Sequence, residues 1–206
     1  MDKIKEILST IVDYYNKIHD IPVLYALIIA VLLPFVIIAV GYFIELIQES
    51  LILGLSMMLA PKAATAIVNY AFFPGVMIHE MAHAFLAVIT GAEITEVALF
   101  KHVDDSLGHV NFRNRGNIVL VALQNIFTSS APMFVGAVVV YGCFYWIHIL
   151  GSGMLWLKII LGYVGVSMFF HMTMSKADIK VYMKGIPLFI VILFIVALPL
   201  RLFGVI

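Results

Sequence analysis

Residues 72–90 read FFPGVMIHEMAHAFLAVIT, an apolar stretch that carries His79, Glu80 and His83 near its middle. Two histidines four residues apart project from the same face of a helix, where they can share one zinc ion. The glutamate beside the first histidine is placed to take a proton from a water at the metal's open position. Ionisable side chains at membrane depth are costly, so three of them together indicate a functional site. The stretch therefore predicts a zinc-binding helix.

The composition of the whole chain predicts a membrane protein. Hydrophobic residues make up 64% of the 206 positions and charged residues only 12%. A water-facing surface needs more charge than that, whereas one membrane domain of about four to six spans fits this length. The 12 basic residues balance the 12 acidic residues, so the chain has no excess of positive charge. We therefore expect no nucleic-acid partner. We expect residues 1–206 to form a single integral, multi-pass membrane domain whose surroundings are the lipid bilayer.

Apolar segments of the chain predict an all-α polytopic fold with about five transmembrane helices. We expect a break at Pro74-Gly75, because proline restarts a helix well in its first turn. The 33 apolar residues from 118 to 150 exceed one straight span, so a half-helix holding Gln124 and Asn125 is expected before Ser129–Pro132. The predicted spans are 21–46, 63–90, the later part of 118–150, 154–174 and 186–206, with an interfacial segment at 50–60.

Two further segments predict elements at the membrane edge. Residues 1–19 repeat apolar side chains at helical spacing, which predicts an amphipathic helix that lies along the membrane interface or packs on the rest of the domain. Residues 91–117 form a polar, strand-rich loop, in which alternating apolar side chains predict a short β-hairpin at the cytoplasmic edge. Asp104-Asp105-Ser106 supplies the residue types of a turn between its strands.

Under the positive-inside rule, the distribution of basic residues predicts a protein of the cell membrane whose N-terminus is cytoplasmic. With five spans, nine of the 12 basic residues fall on the cytoplasmic side. These nine are Lys3, Lys5, Lys17, Lys101, Arg113, Arg115, Lys176, Lys180 and Lys184, and the other three are Lys62, Lys158 and Arg201.

The same topology predicts a third metal ligand. His83 lies seven residues before the cytoplasmic end of its helix, about 10 Å deep at 1.5 Å per residue. Asp178 ends the fourth span on that side, at similar depth. Since a catalytic zinc binds three protein ligands and keeps one open position, we expect His79, His83 and Asp178 to hold Zn²⁺ with Glu80 as general base. His171, two turns earlier, is the alternative ligand and otherwise a core histidine bonded to a neighbouring helix.

Three features together resemble a known family. They are the apolar-flanked His79-Glu80-x-x-His83, the strand-rich loop after it and the later Ser175-x-x-Asp178. This arrangement resembles the site-two protease family of intramembrane zinc metalloproteases over about residues 63–185, the family's three-helix catalytic core. The Ser-x-x-Asp ending is similar to that of small, divergent members. The resemblance implies a zinc endopeptidase that hydrolyses peptide bonds in or near transmembrane segments of membrane-protein substrates.

Two aspects of the site stay open in the sequence. Residues 131–136 are similar to the family's Gly-Pro-rich start of the intervening span but lack its asparagine, so the oxyanion-stabilising residue is unassigned. Asn125 is one candidate, and a helix-pairing or interfacial asparagine is the other interpretation. The alternative function is a non-proteolytic membrane protein that keeps zinc for structure or metal handling. A structural zinc is usually closed by four protein ligands and binds no water. The glutamate inside the motif favours catalysis over this alternative.

Overall fold

The structure, a computed structural model, describes residues 2–19, 21–99 and 107–206. Over these residues the regular elements are α-helices, one two-stranded sheet and a 3₁₀ turn at Ser152–Met154. The predicted turn at Asp104-Asp105-Ser106 lies outside the described residues. The elements are α1 (Asp2–His19), α2 (Pro22–Ser56), α3 (Pro61–Ala71), α4 (Phe73–Ile89), β1 (Glu93–Ala98), β2 (His109–Arg113), α5 (Ile118–Ile149), α6 (Leu155–His171) and α7 (Lys176–Leu202).

The backbone forms two compact units. One consists of Met1–Val36 with Ile186–Ile206, and the other of Ile37–Gly185. In the first unit the Arg201 guanidinium lies 4.7 Å from the centre of the Tyr25 ring, a cation–π contact. The second unit contains all of residues 63–185, and with them the predicted ligands, so the candidate site can be described within that unit alone.

Among the described residues, four helices are long and apolar enough to cross a membrane: α2, α5, α6 together with the 3₁₀ turn before it, and α7. The pair α3 and α4, bent by 77° at Phe72, makes a fifth if both halves belong to one broken span. The predicted class, a helical polytopic chain with a small sheet, agrees with this architecture. The predicted break in the motif-bearing segment is confirmed, with Pro74 in the first turn of α4.

The amphipathic helix predicted at residues 1–19 is confirmed as α1. Its apolar side is open at four positions, where Ile4, Ile7, Leu8 and Val12 are each more than half exposed. Side chains of this kind are normally covered by protein or lipid.

Helices α2 and α5 each continue past a predicted boundary. The first predicted span ends at residue 46, whereas α2 continues to Ser56 before the chain restarts at Pro61. No proline lies between Pro34 and Pro61, so no residue without an N–H interrupts this part of the helix. The break expected before Ser129–Pro132 is wrong, because α5 runs unbroken from Ile118 to Ile149.

Serine hydroxyls explain why α5 does not restart at Ser129. Ser130 Oγ donates to the Ile126 carbonyl at 2.6 Å, and Ser129 Oγ donates to the Asn125 carbonyl. Hydroxyls that bond back to the preceding turn are satisfied within a continuing helix, whereas a capping hydroxyl would accept from backbone N–H groups ahead of it. The cap of α5 is Asn117 instead, whose Oδ1 accepts from the Leu120 N–H at 2.9 Å.

The fourth span also ends differently from the prediction. Helix α6 stops at His171, and Asp178 lies in the first turn of α7 rather than at the end of the preceding helix. Residues 172–175 form the short connection between the two helices. Asp178 therefore belongs to the start of the last helix, which changes how its carboxylate is held.

Close packing of α4 on α6 depends on Gly75. A Cβ atom at this position would overlap the Ser167 carbonyl of α6, so a larger residue would force the two backbones apart. The Gly75 N–H donates to Ser167 Oγ at 2.7 Å, and this hydroxyl donates to the Phe72 carbonyl, also at 2.7 Å. Ser167 thus bonds backbone groups on both sides of the break between α3 and α4. The start of α4 is fixed against α6.

The two strands pair antiparallel, from Glu93 opposite Arg113 to Ala98 opposite His109, with an irregularity between Ile94 and Glu96. Alternating apolar side chains predicted two paired strands in this loop, and the two-stranded sheet confirms them. An ion pair between Glu93 and Arg115, 2.9 Å between Oε2 and a guanidinium nitrogen, extends the contact beyond β2.

Gln124 of α5 ties the two ends of the strand-rich loop together. Its buried side-chain amide donates to the carbonyls of Thr90 and Arg115, both at 3.0 Å. Its Oε1 accepts from the Arg115 N–H at 3.0 Å. Because Thr90 precedes β1 and Arg115 follows β2, one polar side chain anchors the sheet to α5.

Candidate metal centre

The structure brings the three predicted ligands together. His79 and His83 lie one turn apart on α4, and their Nε2 atoms are 3.1 Å apart. Asp178, from the first turn of α7, places Oδ1 3.5 Å from His83 Nε2. The ligand atoms of all three residues lie within 4.8 Å of one another.

These separations fit a zinc ion. Ligand atoms about 2.0–2.1 Å from a tetrahedral ion are about 3.3 Å from each other. The two measured separations, 3.1 Å and 3.5 Å, lie on either side of that value. Two imidazole nitrogens and one carboxylate oxygen are an ordinary donor set for a catalytic zinc, and the fourth position stays open for water or substrate.

Hydrogen bonds to the backbone define which nitrogen of each histidine carries the proton. His79 Nδ1 lies 2.6 Å from the His171 carbonyl oxygen, and His83 Nδ1 lies 2.7 Å from the Thr128 carbonyl oxygen. A carbonyl oxygen only accepts, so each Nδ1–H must donate and each neutral ring presents a lone pair at Nε2. Two lone pairs then face each other across 3.1 Å beside a carboxylate oxygen. Such a group of acceptors is stable around a cation.

Asp178 is held in place by the cap of its own helix. Its Oδ2 accepts from the Ser175 N–H at 3.0 Å and from Ser175 Oγ at 2.6 Å. In return, the Asp178 N–H donates to Ser175 Oγ at 3.2 Å. This reciprocal arrangement is a capping box, with aspartate in the position usually held by glutamate or glutamine. It fixes Oδ2 and leaves Oδ1 facing His83.

A cavity of about 450 Å³ opens beside the three candidate ligands. One wall is β2 with the two residues before it, and the others are contributed by α3, α4 and the connection between α6 and α7. Its lining residues are Asn69, Val76, His79, Glu80, His83, Leu107, Gly108, His109, Val110, Asn111, Phe112, His171, Thr173, Ser175, Ala177 and Asp178.

Glu80 lines the same cavity, next to His79 in the chain, and only 9% of it is exposed. The loop before β2 packs directly over it, since a Cβ atom on Gly108 would lie 2.9 Å from Glu80 Cγ. The carboxylate is therefore enclosed between α4 and the segment that leads into β2. Glu80 and the three candidate ligands therefore line one common cavity.

His171 contributes its backbone rather than its imidazole to the ligand group. Its Nδ1–H donates to the Ser167 carbonyl one turn earlier, at 3.0 Å, and its carbonyl accepts from His79. The ring is buried and lines the cavity, but its nitrogens are not among the clustered ligand atoms.

Asn125 lies away from the cavity that Glu80 lines. Its Oδ1 accepts from Asn114 Nδ2 at 2.7 Å, and it lines a second cavity of about 330 Å³ with Lys184. The second cavity shares Asp178 and part of β2 with the first. This position gives no support to an oxyanion-binding role for Asn125 in the first cavity.

Several residues around the site were not predicted from the sequence. His109 lines the cavity and places Nε2 3.3 Å from Glu96 Oε2. Alternation marks His109 only as a polar residue of a strand, and nothing in the pattern places that strand over α4. One feature of the sequence could have pointed to the Thr128 carbonyl: the residue four positions later is Pro132, which has no N–H to bond it.

No family model matches the chain, nor does any curated protein or solved structure.

Proposed function

We propose that this chain is an intramembrane zinc metalloprotease of the site-two protease type. The observation that supports it most is the pair of Nε2 lone pairs that face each other beside the Asp178 carboxylate, with Glu80 in the same cavity. A cluster of acceptors without a donor is what a metal site requires. Its position on a helix of a strongly apolar chain points to chemistry at membrane depth.

The proposed reaction is hydrolysis of a peptide bond by water. Zn²⁺ held by His79, His83 and Asp178 would polarise the scissile carbonyl and make a water nucleophilic near neutral pH. The Glu80 carboxylate accepts a proton from this water as the water oxygen attacks the carbonyl carbon. Glu80 then gives the proton to the amide nitrogen as the C–N bond breaks, so the products are a carboxylic acid and an amine.

The proposed substrate is a transmembrane segment of another membrane protein. A helical segment hides its carbonyls in its own hydrogen bonds, so it must unwind locally before water can attack. Strand β2 forms one wall of the cavity and provides a template for an extended segment, which can pair with it as an added strand.

A non-proteolytic membrane protein that uses zinc for structure or metal handling is the second candidate. Structural zinc is usually closed by four protein ligands. Among the described residues, the group at this site contains three. An enclosed carboxylate beside an open coordination position favours hydrolysis over a structural role.

We further propose that the chain is an integral protein of the cell membrane with its N-terminus in the cytoplasm. The 9:3 distribution of basic residues supports this orientation. The open apolar side of α1 suits a helix that lies in the membrane interface, where lipid would cover Ile4, Ile7, Leu8 and Val12.

Cysteine labelling in intact cells tests the proposed orientation. In a Cys143→Ala background, Ser106→Cys is expected to resist a membrane-impermeant thiol reagent added outside. The control, Ser152→Cys in the loop after α5, is expected to react because α5 would cross to the outer side. Outside labelling at position 106 would overturn the orientation.

Zinc analysis tests the metal site directly. The protein purified in detergent is expected to carry about one zinc per chain, because two histidines and one aspartate make a three-ligand site. His79→Ala and His83→Ala should each lose the metal. His148→Ala, which removes an exposed histidine in the last turn of α5, should keep it. Full zinc content in either motif variant would mean that the motif is not the metal site.

A further inference from the structure

The carbonyl that orients His83 is one that its own helix leaves unpaired. In an α-helix each carbonyl accepts from the N–H four residues later. The residue four positions after Thr128 is Pro132, which has no N–H. The Thr128 carbonyl therefore has no partner in the regular ladder of α5, and it accepts from His83 Nδ1 at 2.7 Å instead.

Burial makes this hydrogen bond decisive for the ring. Thr128 is fully buried, Pro132 is among the fully buried side chains, and His83 is only 7% exposed. Water cannot easily replace either partner, so a carbonyl without a donor would be costly. The His83 Nδ1–H is the donor that satisfies it, which leaves the Nε2 lone pair facing His79 and Asp178.

His79 is oriented by a second unpaired carbonyl, which is freed in a different way. His171 is the last residue of α6, so its carbonyl needs a partner from outside that helix. The N–H four residues later, that of Ser175, donates to Asp178 Oδ2 instead. A helix end thus supplies the acceptor for His79. In the middle of α5 no helix end exists, and a residue without an N–H frees the carbonyl.

We propose that Pro132 is a positioning residue of the zinc site, because it withholds the N–H that would compete with His83 for the Thr128 carbonyl. It touches neither metal nor substrate in this role and acts through the orientation and tautomer of His83. The proposal deepens the proposed function, on which the identity of the metal rests. The alternative is that Pro132 only shapes and packs α5.

Two substitutions at position 132 in the full-length protein separate these roles. Pro132→Ala restores the N–H. Replacement by lactic acid, which introduces an ester bond, gives the same methyl side chain without an N–H. Both lose the proline ring, so packing changes equally. Zinc affinity, measured by competition with a chelator, is expected to fall about 10–100-fold in the alanine variant, the usual cost of losing a partner behind a metal ligand. The ester variant should stay near wild type.

A measurement on zinc-free protein keeps the test independent of the metal. The ¹⁵N signals of the His83 imidazole, at a pH where the ring is neutral, should show a proton on Nδ1 in the wild type and the ester variant. In Pro132→Ala the Nδ1 population should decrease. If the wild type binds no zinc, the proposed function fails, and these signals still decide the role of Pro132.

Two controls complete the design. Pro34→Ala changes another buried helix proline and should leave zinc affinity unchanged. Replacing Ser129 by its α-hydroxy acid turns the Thr128 carbonyl into an ester carbonyl, a weaker acceptor, and should lower zinc affinity even if Pro132→Ala does not fold. Equal affinity and equal His83 signals in the alanine variant and the wild type would overturn the proposal. Equal losses in the alanine and lactic acid variants would do the same.

Discussion

Glu80→Gln is expected to abolish cleavage of a transmembrane-helix reporter while zinc content and fold stay unchanged. The amide has nearly the same shape as the carboxylate but cannot accept a proton from water. Loss of a positioned general base typically costs about 10²–10⁴-fold in rate, which would bring cleavage close to background. The measurement is the rate of reporter cleavage at equal amounts of folded, zinc-loaded protein.

Two comparisons make this result specific. Glu49→Gln, at an exposed position of α2, removes one carboxylate elsewhere and should cleave at the wild-type rate. Zinc content of Glu80→Gln should equal that of the wild type, since Glu80 is not among the clustered ligand residues. Cleavage by the Gln variant at a rate comparable with wild type would show that Glu80 is not the base, and the proposed mechanism would be wrong.

The strongest sequence signals were those that depend on local periodicity. Two histidines four residues apart must share a helix face, and proline at Pro74 must lie in a first turn or a kink. Alternation around Val97 and Val110 likewise predicts strands, and the structure contains them. These features follow from residues within one or two turns of each other, so no tertiary information is needed.

The polar segments between apolar runs were harder to interpret, because the same residues can end one helix or begin the next. Ser175 and Asp178 fit a solvated helix end, yet the structure uses them as the cap of α7. Ser129 and Ser130 fit a cap, yet their hydroxyls bond back along α5. The difference lies in the direction of a hydrogen bond, which depends on backbone conformation and not on residue type.

The contacts between the strand-rich loop and the cavity could not be predicted from the sequence, for a different reason. The packing of Gly108 on Glu80 and the position of His109 in the cavity depend on how the sheet folds back over α4. Gln124 holds the loop by bonds to Thr90 and Arg115, residues 34 and 9 positions away. Long-range bonds of this kind leave no periodic pattern in the sequence.

Asp178, and not His171, is expected to be the third zinc ligand. Its Oδ1 lies 3.5 Å from His83 Nε2, while the imidazole of His171 is outside the ligand cluster. Loss of a residue that only hydrogen-bonds a metal ligand lowers metal affinity by roughly 10–100-fold. Asp178→Ala should lower zinc affinity by more than this and should stop reporter cleavage. His171→Ala should cost packing but leave some activity, since the carbonyl that accepts from His79 Nδ1 belongs to the backbone and survives the substitution.

The capping box complicates this test, because Asp178→Ala removes a cap as well as a ligand. Losing a cap alone typically costs about 1 kcal/mol of stability, and Ser175→Ala isolates that loss while keeping the carboxylate. Ser175→Ala should therefore retain most of its zinc. Asp178→Asn should lose its zinc, although its amide oxygen can still accept from Ser175. All variants must be compared as folded, membrane-inserted protein, since a destabilised variant loses activity for trivial reasons. Zinc near the wild-type level in Asp178→Ala, together with zinc loss in His171→Ala, would reverse the assignment and reduce the resemblance at Ser175-x-x-Asp178 to coincidence.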